Sequence, residues 1–308
     1  MGNILLLRTP TAPLGNQGTG PVFAPNRPAG LTTIIDRQWN PTDPTIPGGV
    51  LPPASLSGSD STHMTWYGGS PPTAPFIDTP ANLTSRIGKT IPVLPDAAAT
   101  CMAIYYPSGF NAAETPFGLF YSGSFTLPCR KMYVSCWVLM PSNFSSNNNN
   151  IKWLNFQNTS PTSNHIMMLN SQSNTTDGRA SWMVLQGGGG SGSYGGQGSN
   201  AAGAITSLPI PPPVGTGPGW WPSNLDGWHC LEWYVQTESN PGVSSDGIFA
   251  GYFDGTLVNY WNNIRYNAAS GDSNGFNQIQ LEPYYGGGGS AAPANEYLCL
   301  GRFLVAGA

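Results

Sequence analysis

The residues with the clearest chemical potential in this 308-residue chain lie near its C-terminal end. Gln278-Ile279-Gln280 has the alternation of a strand, which places both amides on one face of a sheet. Tyr284 follows four residues later. An amide can neutralise a carboxylate while a tyrosine removes the proton beside it, so the group is compatible with proton abstraction next to a carboxylate. The same residues also fit an ordinary solvated strand face.

Paired carboxylates of the kind that hydrolyse glycosides are not indicated. Glycosidases place two carboxylates within about 10 Å of each other, but Glu232 stands alone on its predicted strand and Glu282 lies beside a proline. Glu232 is therefore predicted to be a buried or rim carboxylate held by arginine or backbone donors.

Metal ligation is weakly supported, and no cofactor is expected. His63, His165 and His229 lack the spacing of metal ligands, and His229 is predicted to be a hydrogen-bonded core residue. A calcium site remains open, because Ca²⁺ prefers loop carboxylates, although each candidate also fits a plain turn. The candidates are Asp226, Asp246, Asp254 and Asp272.

Aromatic pairs in predicted loops form a second candidate site. Trp220-Trp221 lies in a Pro/Gly stretch, and Tyr284-Tyr285 precedes a glycine run. Such residues suit sugar stacking beside amides, and they suit a subunit interface equally well. The predicted glycan-binding residues are Trp220, Trp221, Tyr284, Tyr285, Gln278 and Gln280.

The elements that would position these residues are short strands bounded by Gly, Pro and Asn turns, and no capped helix is predicted. A central strand, Trp228–Gln236, is apolar on both faces and is followed by Ile248–Phe253, an Asp254-Gly255 turn and Thr256–Tyr260. Further predicted strands are Leu31–Trp39, Met64–Tyr67, Cys101–Tyr106, Phe117–Phe125, Lys131–Met140, Ile151–Gln157, His165–Leu169, Ala180–Gln186, Asn277–Pro283 and Glu296–Val305. The pattern predicts an all-β sandwich or barrel. The residues expected in one core are Val134, Trp137, Leu231, Trp233, Phe253 and Phe303.

The central strands carry a family resemblance. Gly-Trp-His-x-x-Glu-x-Tyr-Val from Gly227, followed by Gly-x-x-x-Gly-Tyr-Phe-Asp-Gly-x-Leu-Val from Gly247, resembles concanavalin A-like jelly-roll sandwiches from about Ala113 onward. That superfamily includes lectins, glycoside hydrolases and polysaccharide lyases, so the resemblance implies the fold more than a function. Its lyases carry an Arg/Gln/His/Tyr group on the concave sheet, although no Arg-rich partner strand is evident here. The matching candidates are His165, His229, Gln278, Gln280 and Tyr284.

Composition limits the partners. Charged residues make up 8% of the chain, against about 25% in an average domain. The net charge of −4 leaves no basic footprint for nucleic acid, and no run of about 20 apolar residues indicates a membrane span.

Three segments are predicted. Residues 1–30 form a Pro/Gly-rich arm, residues 31–100 a proline-punctuated segment that packs on the sandwich, and residues 101–308 the sandwich itself. Such an arm needs a surface on which to become ordered, because its backbone loses about 1–2 kcal/mol per residue on ordering. A neighbouring subunit is the favoured surface. The predicted assembly contacts are Ile4, Leu5, Leu6, Leu7 and Phe23.

The functional hypothesis combines an amide-rich surface with an N-terminus that lacks a secretory signal. Five cysteines, three of them in apolar strand patterns, indicate free thiols formed in a reducing cytoplasm. We therefore expect a non-enzymatic bacteriophage virion protein, of a capsid or a tail or fibre, assembled in the host cytoplasm. Its partners would be copies of itself, other virion proteins and surface polysaccharide. The alternatives are a polysaccharide lyase of the same fold and a secreted or cell-surface lectin.

Overall fold

The structure is a computed structural model in which fifteen stretches of the chain are described. They are residues 22–39, 65–67, 76–96, 100–110, 118–122, 129–139, 150–158, 164–171, 180–186, 227–241, 243–264, 266, 275–276, 278–285 and 295–308.

The described residues contain fourteen strands and one helix. In chain order they are β1 (Thr32–Arg37), β2 (Thr65–Tyr67), β3 (Phe76–Asp78), α1 (Pro80–Ile87), β4 (Cys101–Tyr106), β5 (Gly118–Ser122), β6 (Lys131–Leu139), β7 (Asn150–Asn158), β8 (Asn164–Ser171), β9 (Ala180–Gln186), β10 (His229–Gln236), β11 (Gly247–Phe253), β12 (Thr256–Ile264), β13 (Gln278–Tyr285) and β14 (Glu296–Gly307). Every predicted strand is present, with ends shifted by a few residues. The sequence did not predict β3 or α1.

The strands form two antiparallel sheets, and the fold is the predicted all-β sandwich. The eight-stranded sheet has the order β12-β11-β10-β6-β14-β4-β3, with β1 paired to β14 beside that path. The six-stranded sheet has the order β2-β5-β13-β7-β8-β9. Strands far apart in sequence are neighbours in both sheets, so the fold depends on long-range pairing.

The hairpin between β11 and β12 follows directly from its sequence. Asp254 and Gly255 are the only residues between the two strands, and both have positive φ, 47° and 80°. A two-residue turn of this kind matches the right-handed twist of the strands and requires residues that tolerate the left-handed region. The predicted tight turn is confirmed.

The central strand β10 is buried on both faces, as predicted. Leu231, Trp233 and Val235 are at most 3% exposed, and so are Cys230 and Glu232, which alternate with them. All six residues predicted to be in the core are buried.

The expectation of one core is wrong. Trp137 belongs to a separate cluster, with Leu83, Ile91 and Cys230, on the face of the eight-stranded sheet that α1 covers. Val134 and Cys136 alternate with Trp137 along β6 and lie on the opposite face.

Helix α1 has caps that can be identified in the sequence. Thr79 accepts a hydrogen bond from Asn82 N, Pro80 occupies the first turn, and Gly88 ends the helix in the left-handed region at φ 72°. The helix buries Leu83 completely. No helix in the described part of the chain is long and apolar enough to cross a membrane.

A bulge in β14 lies at Gly301, between Leu300 and Phe303. The backbone here approaches its neighbours so closely that a Cβ atom would lie 2.5 Å from Leu94 Cδ2 and 2.7 Å from Trp137 Cβ. The Gly301 carbonyl accepts a hydrogen bond from Trp39 Nε1. Only glycine fits this close contact of β14 with Leu94 and Trp137.

Candidate functional site

The predicted amides Gln278 and Gln280 lie on β13, between β5 and β7 in the six-stranded sheet. They alternate with Ile279, which is 1% exposed. Across the β13–β7 register, Ile279 lies opposite Phe156 and Leu281 opposite Leu154, and both β7 residues are buried. Because residues opposite each other share a face, the two glutamines occupy the face turned away from this buried set.

One polar row and one mixed row of residues cross that face in register. One row, read from β9 to β5, contains Gln186, His165, Gln157, Gln278 and Ser122. The adjacent row contains Val184, Met167, Asn155, Gln280 and Phe120. Four inter-strand steps give each row a length of about 19 Å. The sheet therefore brings His165 into line with Gln278, whereas His229 lies in the other sheet.

Lys152 and Tyr284 are brought together at the end of the same strand pair. They lie opposite each other in the β7–β13 register, beyond a shift between Leu281 and Tyr284. Lys152 is the one lysine or arginine in the described residues of the six strands. Sequence reasoning missed Lys152, Asn155 and Gln157, although Asn155-Phe-Gln157 repeats the alternation of Gln278-Ile-Gln280.

Other predicted residues fall elsewhere. Tyr285 lies opposite Ile151, whereas Trp220, Trp221 and the arm residues Ile4 to Leu7 are outside the described residues.

Phe23, predicted as an assembly contact, lies on its own chain. Its ring centroid is 5.8 Å from that of Trp137, and the Arg302 guanidinium lies 4.7 Å from its ring. Arg302 in turn donates two hydrogen bonds to Asp36, of 2.7 and 2.6 Å. These contacts fasten the described end of the arm to the eight-stranded sheet.

A buried polar cluster surrounds Glu232 on that sheet. The carboxylate accepts hydrogen bonds from Asn26 N at 2.9 Å and from Asn26 Nδ2 at 3.0 Å, and a further one from the Tyr133 hydroxyl. Burial raises the pKa of the Glu232 carboxyl, and the hydrogen bonds from Tyr133 and Asn26 oppose this shift without cancelling it. Burial and the neighbouring carboxylate raise the pKa of Tyr133 far above its usual range. Glu232 is the predicted buried carboxylate, held by backbone and side-chain donors.

His229 and Asp254 form a half-buried pair at the edge of this cluster. Nδ1 of His229 is 2.7 Å from Asp254 Oδ2, and the backbone N–H of Cys230 donates to Asp254 Oδ1 at 2.8 Å. The imidazole also packs on Phe253, with 4.7 Å between ring centroids. The pair holds the Asp-Gly turn against β10. His229 is hydrogen-bonded, as predicted, but it is half-buried at the end of β10 and is not a core residue.

The two calcium candidates within the described residues, Asp246 and Asp254, make hydrogen bonds within the protein. Asp246 accepts hydrogen bonds from Ser239 N and from the Ser244 hydroxyl, both of 2.8 Å, inside a turn. Asp254 is used as described above, and Asp226 and Asp272 are outside the described residues. Among the described residues, no three His, Cys, Asp or Glu residues group closely enough to hold a metal ion.

Comparisons with known proteins gave weak structural likenesses and no sequence match. No protein-family profile and no curated protein sequence matches the chain. Among solved structures it resembles the alginate lyase Aly36B, with 13% identity and a TM-score of 0.47, over 74% of this chain and 90% of that one. It resembles the marine PL-14 alginate lyase from Aplysia kurodai with 13% identity and a TM-score of 0.47, over 77% and 99%. The endo-β-1,4-glucuronan lyase from the fungus Trichoderma reesei matches with 10% identity and a TM-score of 0.43, over 80% and 96%.

These findings correct the functional hypothesis. The prediction of a non-enzymatic virion structural protein is wrong, because the solved structures named above are polysaccharide lyases rather than virion components. At identities of 10–13%, no residue role is carried over from these structures. An activity has to be inferred from the residues of this chain.

Proposed function

We propose that this protein is a polysaccharide lyase that cleaves a uronate-containing polymer on the polar face of the six-stranded sheet. The observation that carries the proposal is the register. It aligns Gln157, Gln278 and His165 in one row and sets Lys152 opposite Tyr284 on the same two strands. A polar row about 19 Å long, with one cation and one phenol displaced from it along β7 and β13, suits an extended acidic chain.

The chemistry of elimination explains why these residue types belong together. A base removes the proton at C5, next to the uronate carboxylate, and that electron pair forms the C4–C5 double bond. The bond from C4 to the glycosidic oxygen then breaks, and the leaving oxygen takes up a proton. The proton at C5 becomes acidic enough only when the carboxylate is neutralised, which amide donors or a cation can do.

The residues have distinct proposed roles. Gln280, the nearer of the two β13 amides to Tyr284, binds the carboxylate, and Gln278 and Gln157 bind hydroxyls of neighbouring sugars along the chain. Tyr284 exchanges the proton, and Lys152 favours its ionised form, because an adjacent cation stabilises a phenolate. His165 is the other residue on this face able to act as a base near neutral pH.

Electrostatics sets the strength expected for substrate binding. The net charge of −4 opposes association with a polyanion, and this sheet contributes one lysine in its described strands. Affinity must therefore come mainly from hydrogen bonds, and it should depend weakly on ionic strength.

The test is the release of unsaturated uronates, which absorb ultraviolet light, from alginate, glucuronan and other uronans. We expect Tyr284→Phe and Lys152→Met to abolish the product, while Lys131→Met, a matched charge change on the exposed start of β6, leaves it unchanged. If no uronan yields the product, the proposal is wrong. Binding without any product would instead favour a lectin.

A further inference from the structure

A cavity of about 310 Å³ lies on the face of the eight-stranded sheet that α1 covers, whereas the amide rows lie on the six-stranded sheet. Its volume is at the lower end of the range for small-ligand sites. The described residues that line it are Arg86, Ile87, Lys89, Tyr105, Asn295 and Tyr297. Two are basic and none is acidic, in a chain that has only 11 lysines and arginines.

The end of α1 brings the two cations together. Arg86 lies in the last helical turn, and Gly88 reverses the chain in the left-handed region at φ 72°. Lys89 follows immediately, so both basic residues line one cavity. The helix dipole favours Arg86 at this position, because cations are stabilised at a helix C-terminus. It does not account for Lys89 or for the polar and aromatic residues on the other side.

Strands β4 and β14 of the eight-stranded sheet supply the opposite wall of the cavity. Tyr105 of β4 and Tyr297 of β14 lie opposite each other in register, which places their Cβ atoms about 5 Å apart. The Lys89 ammonium is 6.0 Å from the centroid of the Tyr297 ring, within the range of a cation–π contact. Glu296 alternates with Tyr297 and lies on the opposite face of β14.

Asn295 completes the cavity with an oriented amide. Its Oδ1 accepts a hydrogen bond of 2.9 Å from the backbone N–H of Ser108, which leaves the NH₂ group as the donor end of the side chain. The cavity therefore combines two cations, an amide donor and two adjacent tyrosines.

We infer that this cavity is a second binding site, which takes a carboxylate-bearing saccharide. Arg86 and Lys89 pair with the carboxylate, Asn295 donates to a hydroxyl, and Tyr105 and Tyr297 provide the flat, partly apolar surface that a sugar ring covers. The site shares its ligand class with the proposed elimination face but not its residues. It would retain a long acidic polymer while the other sheet acts on it.

The experiment measures binding by calorimetry to the full chain carrying Tyr284→Phe, which removes the proposed proton-transfer residue. The probes are a mannuronate trisaccharide, a neutral cellotriose and inorganic phosphate. We expect Lys89→Met and Arg86→Gln each to weaken one class of trisaccharide sites by roughly five- to tenfold. Lys131→Met is the charge-matched control and should bind like the parent protein. Lys89→Met keeps the side-chain stem on Tyr297, and thermal unfolding confirms that it is folded.

Three results would overturn the inference. They are unchanged trisaccharide binding in both cavity variants, equal binding of cellotriose, and complete competition by phosphate at the trisaccharide's own concentration, which would indicate a simple anion site. The measurement is separate from the test of elimination. A chain that yields no unsaturated product but loses trisaccharide binding in the Lys89 and Arg86 variants supports the second site and refutes only the lyase.

Discussion

Glu232 offers the sharpest test of how the N-terminal segment is held on the sandwich. Its carboxylate is fully buried and accepts three hydrogen bonds, two from Asn26 and one from Tyr133. Glu232→Ala leaves the Tyr133 hydroxyl and the Asn26 N–H without their acceptor, at about 1–3 kcal/mol for each buried donor. Relief from burying the carboxylate offsets part of this loss. We expect a net loss of about 3 kcal/mol in the free energy of unfolding, measured by urea titration.

The pH dependence provides an independent check with a definite sign. Because burial raises the folded-state pKa of Glu232 above its unfolded value, the folded protein holds this proton more tightly than the unfolded chain. The corresponding stability is fully present below the unfolded pKa and is lost as the pH rises through the folded pKa. Glu232→Gln cannot titrate, so its free energy of unfolding should lack this decline as the pH rises above the unfolded pKa of a glutamate. Equal slopes for wild type and Glu232→Gln, or a loss below about 1 kcal/mol in Glu232→Ala, would refute the reasoning.

Three further substitutions test the bulge in β14, the N-cap of α1 and the β11–β12 turn, each by thermal or urea unfolding. Gly301→Ala should lower the free energy of unfolding by about 1–3 kcal/mol, because its Cβ would lie 2.5 Å from Leu94 and 2.7 Å from Trp137. An unchanged free energy of unfolding would show that these neighbours move aside at little cost. Thr79→Ala removes the N-cap of α1 and should cost about 1 kcal/mol, whereas Thr79→Ser, which keeps the hydroxyl, should cost little. Gly255→Ala should cost about 1–2 kcal/mol, because it forces a Cβ into φ 80°; unchanged stability would mean that the turn rearranges.

The strands could be predicted from the sequence because alternation and turn residues are local signals. Cys101–Tyr106 and Ala180–Gln186 match their predicted bounds, and the Asp254-Gly255 turn has its expected backbone. Helix α1 was missed because eight residues give little periodicity, although Thr79-Pro80 and Gly88 are ordinary helix-boundary signals.

The site could be predicted only in part, because register is a long-range property. Gln278 and Gln280 were identified from their own strand, but nothing local indicates that Gln157 and His165 lie in the same row. The same limit explains Trp137. Its strand reads as apolar on both faces, so the sequence does not tell which face lies under α1 and which faces the other sheet.

The five free thiols have a practical consequence for measuring how the protein opens. Cys101, Cys136, Cys230 and Cys299 are buried, and Cys129 is partly buried. Burial raises the pKa of Cys230 to about 12 and that of Cys136 and Cys299 well above the usual value, so a folded molecule presents almost no thiolate from these positions. An alkylating reagent can modify them only in molecules whose strands have separated. With Cys129→Ser as the background, the alkylation rate of the remaining thiols would report the frequency of sheet opening without any added label.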